Sequence, residues 1–180
     1  MKIIYDAGHG GKDPGALGNG ARECDLTLEI VLALEACTKA SHPDWTVILT
    51  RDHDVYLSPG TRQRMAMASK ADAFVSIHCN AVEDPKANGC EVVYREEDDF
   101  DMGILIKESI IAEFDGLKDR GMKSDLDDLK RSLSVLSTPG LPSVIVEPGF
   151  ITNKKDFAAL TATMTMAEAI LRGIEKWSEM

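Results

Sequence analysis

No apolar stretch in this 180-residue chain approaches the ~20 residues that a membrane-spanning helix needs. No secretory leader is expected either: Met1-Lys2 runs straight into Ile3-Ile4-Tyr5-Asp6, with neither an apolar signal core nor a cleavage site. The chain is therefore expected to be made in the cytoplasm and then kept there, exported by a route it does not encode, or trimmed from a longer product. Lys and Arg form no cluster, and the formal net charge is -10 with a pI near 4.8, which argues against a non-specific nucleic-acid binder. Cys24, Cys37, Cys79 and Cys90 show no CxxC spacing, so neither a zinc knuckle nor a disulfide framework is signalled, and free thiols are expected. Repeats, low-complexity tracts and linkers are also lacking, which leaves residues 1–180 as one domain.

What is present is ordinary globular composition, 44% hydrophobic and 28% charged, in a chain long enough to bury its own core. Lys2 to Tyr5, Trp45 to Leu49, Ala73 to Ile77 and Gly89 to Tyr94 read as short buried strands, with Ser134 to Leu136 and Ser143 to Val146 as the last two. Between them, Leu26, Ile30, Ala33, Leu34 and Cys37 make the stripe of a helix over Asp25 to Lys39, stopped by His42-Pro43. Ser58-Pro59 is a helix start, with a capping serine and proline in the first turn. Phe100, Ile104, Ile111 and Phe114 share one face of a further helix, and Asn153 caps a short one. Met164, Ala167, Leu171, Ile174 and Trp177 form the inner face of the last. Strands alternating with helices in this way predict an α/β domain: a twisted, mostly parallel sheet of about six strands with helices on both faces.

In such sheets function gathers beyond the carboxyl ends of the strands. Asp6 and His9 follow the first strand, His78 the third, and Glu147 the last, while Glu23 stands where the glycine-rich loop "DAGHGGKDPGALG" meets the first helix. A hydrolytic zinc site takes three protein ligands, commonly His and Glu, and leaves one position for water. His9, Glu23 and His78 can supply that set, and Glu147 the separate carboxylate that takes the water's proton. Each residue has a plainer reading: a hydrogen-bonded loop histidine, a charge favourable at a helix N-terminus, a turn glutamate before Pro148-Gly149. The loop is not a phosphate cradle of known pattern, because it matches neither G-x-G-x-x-G nor G-x-x-x-x-G-K-[ST].

Seven segments in order carry a resemblance: "IYDAGHGGKDPG" from Ile4, "ECDLTLEIVLAL" from Glu23, "TRDHD" from Thr50, "RMAMASKADAFVSIHCNA" from Arg64, "NGCEVVY" from Asn88, "DRG" from Asp119 and "LPSVIVEPGFITN" from Leu141. Together they span nearly the whole chain, and it resembles the zinc-dependent N-acetylmuramoyl-L-alanine amidases, in the catalytic domain of the amidase-3 type. The resemblance implies zinc held by His9, Glu23 and His78, with Glu147 as the catalytic carboxylate. It also implies hydrolysis of the amide joining the lactyl group of N-acetylmuramic acid to the L-alanine of the peptidoglycan stem. A zinc peptidase or carboxypeptidase acting on the stem peptides is the alternative use of the same residues. Asn80 and Arg64 are held as substrate-binding candidates, with fixing the loop and pairing a carboxylate inside the fold as their respective alternatives. Cys79 and Cys24, beside two ligands, are expected to pack rather than to bind metal.

Some family members insert an inhibitory helix after the strand corresponding to Gly89 to Tyr94. Here only "REEDDFD" intervenes before the next helix, so a site needing no activator is expected. With no wall-gripping domain and no leader, the expectation is a monomeric phage lysin, or the catalytic part of a larger lysin or autolysin, that reaches the cell wall through a holin or another uncoded route.

Overall fold

The computed structural model describes all 180 residues, Met1 to Met180. In chain order its elements are strand β1 (Lys2–Ala7), a short ribbon of β2 (Leu17–Gly18) and β3 (Ala21–Arg22), helix α1 (Glu23–Ser41), β4 (Thr46–Leu49) and α2 (Pro59–Ser69). There follow β5 (Ala73–Ile77), β6 (Cys90–Tyr94), α3 (Glu97–Glu113), β7 (Asp119–Ser124), a 3-10 turn (Ser134–Leu136), β8 (Ser143–Glu147), α4 (Lys154–Thr161) and α5 (Thr163–Ser178). Six strands form one sheet in the order β4-β1-β5-β8-β6-β7. Neighbours run parallel except β6 and β8, which are antiparallel, so the architecture is the expected mostly parallel α/β sheet.

Alternation along the strands divides the core in two. Ile3, Tyr5 and Ala7 of β1, with Val75 and Ile77 of β5 and Val144 and Val146 of β8, face α1, α3 and α5 in an apolar cluster of 29 buried residues. Their in-between neighbours Ile4, Phe74 and Ile145 face α2 and the 3-10 turn in a cluster of only 8. Both faces carry helix, but the second is covered far less completely. That thin cover is what leaves an accessible cleft over the strand ends.

Local chemistry explains the boundaries. The Ser58 hydroxyl accepts the Thr61 N–H at 3.2 Å at the start of α2, with Pro59 in the first turn. The Asn153 carboxamide oxygen accepts from Lys155 and Asp156 at the start of α4. Glu96 and Asp99 form a reciprocal capping box on α3. His42 ends α1, its N–H still bonding the Thr38 carbonyl at 2.8 Å.

Four expectations are corrected. Ser134 to Leu136 is a 3-10 turn rather than a strand: Val135 and Leu136 are consecutive, yet both pack into the smaller core, which strand alternation forbids. Strand β7, sequence DRGMKS, was not expected because an edge strand with one polar side needs no apolar alternation. On α3 the fully buried row is Met102, Ile106 and Ile110, while Phe100, Ile104, Ile111 and Phe114 are half-buried at its margins. On α5, Met164 is 51% exposed, and Met166 and Ile170 join the inner face instead.

The crossing of α3 and α5 has no spare room. A Cβ on Gly173 would stand 2.3 Å from the Ile106 Cα and 2.6 Å from its nitrogen, both backbone atoms that no side-chain rotation can move. Gly173→Ala should therefore lower stability by about 1–3 kcal/mol from overpacking, even though alanine is the better helix former by ~1 kcal/mol. Urea unfolding of the two proteins checks the sign; an unchanged or raised midpoint would mean that the helices separate freely.

Candidate metal centre

The adjacent strands β1, β5 and β8 deliver His9, His78 and Glu147 to one edge of the sheet. The sheet ladder continues just past the strands: Gly8 N–H bonds the Ile77 carbonyl and His78 N–H the Val146 carbonyl, each at 3.0 Å. His9 itself adopts φ +58°, a left-handed conformation uncommon for a side-chain-bearing residue, at the point where the loop turns out of the sheet. Glu23, the first residue of α1, is 4% exposed and reaches back under that loop.

These segments meet on one carboxylate. His9 Nε2 and His78 Nδ1 each lie 3.1 Å from Glu23 Oε1, which also accepts the Cys79 N–H at 2.9 Å. Glu23 Oε2 accepts the Ala16 N–H at 2.8 Å. Glycine is required twice around it. A Cβ on Gly8 would fall 2.6 Å from the His78 ring, and one on Gly15 2.6 Å from Glu23 Oε2 and 2.7 Å from the His9 ring. Burial works to raise the Glu23 pKa, but the hydrogen bonds and charge of the two histidines outweigh it and hold the carboxyl well below the usual range.

The other face of His9 fixes its chemistry. Asp13 Oδ2 sits 2.9 Å from His9 Nδ1, and the Asp13 carboxylate also accepts the Gly15 N–H. With a proton on Nδ1 donated to Asp13, a neutral His9 would turn a lone pair on Nε2 toward a carboxylate oxygen at hydrogen-bond distance, so against the effect of burial the two carboxylates raise the His9 pKa. Two acceptors that close require a proton or a cation between them. One ligand atom from each of His9, Glu23 and His78 lies within 4.8 Å of the others. Two imidazoles and a carboxylate with an outer carboxylate on one imidazole are a donor set suited to zinc.

Glu147 stands one residue beyond the Ile77–Val146 pair of the β5–β8 ladder, and is not among the clustered ligand atoms. It is only partly accessible, and protein crowds its carboxyl on most sides. Loss of hydration, opposed by the charge of His78 and reinforced by Glu91 and Glu23, pushes its pKa up to about 7. Glu91 is directly opposite Glu147 across the antiparallel β6–β8 ladder. Like charges so placed repel, and Glu91 is in turn paired with Arg120 at 2.7 Å and accepts a hydrogen bond from the Asn80 carboxamide at 2.8 Å.

A cleft of about 300 Å3 opens over Asp6, His9 and His78, walled by Leu57 and Pro59 on one side and Ser132 to Val135 on the other. A hollow of about 450 Å3 between α1 and α5, lined by Cys37, Met164 and Glu168, contains none of the candidate residues, and so the smaller cleft is the one tied to chemistry. Between β6 and α3 stand only Arg95 and Glu96, too short a connection to carry another helix.

The remaining expected residues divide. Asn80 fixes the loop after β5: besides holding Glu91, its backbone bonds the Gly149 carbonyl and the Ile151 N–H. Arg64 is not brought to the site. It is exposed on α2, bonds the Thr61 hydroxyl at 3.0 Å, and pairs with no carboxylate. The internal ion pair belongs to Arg62, which bonds Asp6 under the cleft, because residues two apart on a helix face different directions. Cys79 and Cys24 are buried, and all four cysteines are free thiols. Asp13, Glu91 and Arg62 were not foreseen as site residues; the i, i+4 spacing of His9 and Asp13 was the one available signal.

Residues 3–176 match the N-acetylmuramoyl-L-alanine amidase family. The chain belongs to that family. It is 38% identical over 168 residues to the endolysin of Bacillus phage SPP1, covering 88% of this chain and 58% of the endolysin. With the N-acetylmuramoyl-L-alanine amidase LytC of Bacillus subtilis it shares 34% identity over 162 residues, covering 88% of this chain and 31% of LytC. It thus spans a little over half of the one relative and about a third of the other. Among solved structures, the amidase AmiC2 of Nostoc punctiforme superposes with a TM-score of 0.90 at 34% identity, covering 100% of this chain and 98% of that one. The catalytic domain of CwlV from Bacillus (Paenibacillus) polymyxa gives 0.88 at 30% identity over 99% and 98% of the two chains.

The raised Glu147 pKa makes a stability prediction for this amidase-family chain in chelator. Its ordinary value is 4.5 and its folded value about 7, so between those pH values the folded chain holds the extra proton and stability falls as pH rises. Metal-free Glu147→Gln should therefore gain stability relative to the parent on going from pH 4.5 to above 7, on the order of 3 kcal/mol. Denaturant midpoints at the two pH values check it, and parallel pH profiles would contradict it.

Proposed function

We propose that this chain hydrolyses the amide bond between the lactyl group of N-acetylmuramic acid and L-alanine in bacterial peptidoglycan, as a single catalytic domain acting at the cell wall, with zinc held by His9, Glu23 and His78. The observation that carries this reading is the convergence of three metal-ligating atoms within 4.8 Å at a sheet edge that also presents a carboxyl group pushed up to about 7. Family membership, and the names of relatives such as LytC and AmiC2, support the scissile bond.

The chemistry a zinc ion supplies when bound by two imidazoles and a carboxylate is polarisation of a carbonyl and acidification of water. Everything else is done by the chain. Asp13 holds His9 in the tautomer that offers Nε2. Glu147, as carboxylate, accepts a proton from the water whose oxygen attacks the lactyl carbonyl carbon. It then returns that proton to the alanine nitrogen as the carbon–nitrogen bond breaks, leaving a lactyl carboxylic acid and a free amine, and the acid's proton, the water's second, passes to solvent or to the amine. A pKa near neutrality suits both halves of this exchange, and a cation at the three-ligand site draws it lower. The open cleft and the short β6–α3 connection support a site that works without an activating partner.

Glu147→Gln should keep its bound zinc and lose at least 100-fold in turnover, in line with the 10²–10⁴-fold typical of proton-transfer groups. His9→Ala and His78→Ala should instead lose the zinc itself, read as metal content after dialysis. The decisive assay digests purified peptidoglycan and follows new alanine amino groups alongside new reducing sugar ends. Amines on alanine without sugar ends, abolished by chelator and restored by zinc, are the expected result. New amino groups on other stem residues would identify a peptidase, and activity indifferent to chelator would overturn the metal assignment.

A further inference from the structure

Two arginines lie buried directly beneath the metal loop, and the mechanism above uses neither. Arg51, at the end of β4, is 3% exposed, and Arg62, on α2, is 4% exposed. Arg62 forms an ion pair with the fully buried Asp6, whose carboxylate also accepts from Thr50 at 2.5 Å and Ser76 at 2.6 Å. Arg51 forms no ion pair. Its guanidinium donates to the carbonyls of Ala7 at 2.9 Å, Gly8 at 2.8 Å, Cys24 at 2.8 Å and His53 at 3.1 Å.

The identity of those carbonyls is the point. Gly8 precedes His9, and Cys24 follows Glu23, so one side chain bonds the backbone beside two ligands that come from different elements. Arg62 completes the arrangement by donating to the carbonyls of Ala7 and of His9 itself, both at 2.6 Å. The Thr27 hydroxyl, one turn along α1, shares the Gly8 carbonyl at 2.9 Å and lies 3.2 Å from Arg51. The loop so gripped is the one in which His9 takes φ +58° and Gly10 φ +124°; its own Gly10–Asp13 backbone bridge closes the turn but does not tie it to α1.

We propose that Arg51 and Arg62 are positioning residues that assemble the metal site before metal arrives, fixing the His9 loop against the start of α1 by multiple charge-assisted bonds to carbonyl oxygens. The inference rests on the reading of His9, Glu23 and His78 as ligands. Electrostatics alone would act the other way, since a buried guanidinium repels a divalent cation. Neutralising Arg51 therefore tightens metal binding if its charge is what matters, and weakens it if its position does.

The test is the zinc affinity of the whole chain, measured by competition with a chromogenic chelator, for the parent, Arg51→Lys, Arg51→Met and Thr27→Val, each first confirmed to melt cooperatively without metal. Lysine keeps the charge but lacks the planar fork that reaches several carbonyls at once. We expect Arg51→Lys and Arg51→Met each to weaken zinc binding about 10–100-fold, the range typical of groups that orient metal ligands. Thr27→Val, the milder change if the arginine variants do not fold, should shift affinity in the same direction by a smaller factor. Tight binding by the parent with unchanged or tighter binding in the folded variants would overturn this inference alone. Failure of the parent to bind zinc would overturn it together with the ligand assignment.

Discussion

The carboxylate of Glu23 is the constraint on which the site depends. It is buried on the first turn of α1, and taking such a charge out of water costs several kcal/mol unless it is well paired. The pairing here is drawn from three places: the imidazole after β1, the imidazole and a backbone N–H after β5, and the N–H of Ala16 in the returning loop. Each partner must come close, which is why Gly8 and Gly15 stand where a Cβ would overlap a ligand. The helix start, two strand ends and the glycine-rich loop are thus fixed by one group that belongs to none of the strands.

The sheet supplies the second half of the geometry through the unequal cover of its two faces. Four helices, α1, α3, α4 and α5, close one side, while α2 and a single 3-10 turn cover only part of the other. Asp6, Glu91 and Glu147 share alternation with the smaller core, and so carry charge into the thinly covered side. Asp6 is neutralised by Arg62 and Glu91 by Arg120, with a hydrogen bond from Asn80. Glu147 has no such ion pair, and burial pushes its pKa up to about 7 beside the cluster of candidate metal-binding atoms.

The residues that meet at the candidate site, His9, His78 and the nearby Glu147, could be located in the sequence because strand ends converge in a parallel sheet. Short apolar runs followed at once by His9, His78 and Glu147 locate those residues without knowledge of any contact. The helix termini at Ser58, His42 and Asn153 were legible for a similar reason, since capping is decided within one turn of chain. Arg64 was not: two arginines two residues apart look alike until the helix is docked, and only docking decides that Arg62 faces Asp6. The strand β7 and the 3-10 turn escaped because one is polar on an edge and the other apolar at consecutive positions, so neither shows a strand's period.

By itself, then, the sequence determined which residues could hold a metal and move a proton, and the order of strands and helices that carries them, because those follow from local periodicity and from rules about strand ends. Only the tertiary structure decided that His9, Glu23 and His78 meet on a single oxygen, that Asp13 orients one imidazole, that Glu91 faces Glu147, and that Arg51 and Arg62 grip the loop from below. These pairings join residues up to 56 positions apart. They depend on contacts of 2.6 to 3.1 Å, which no spacing along a chain encodes and which packing alone supplies.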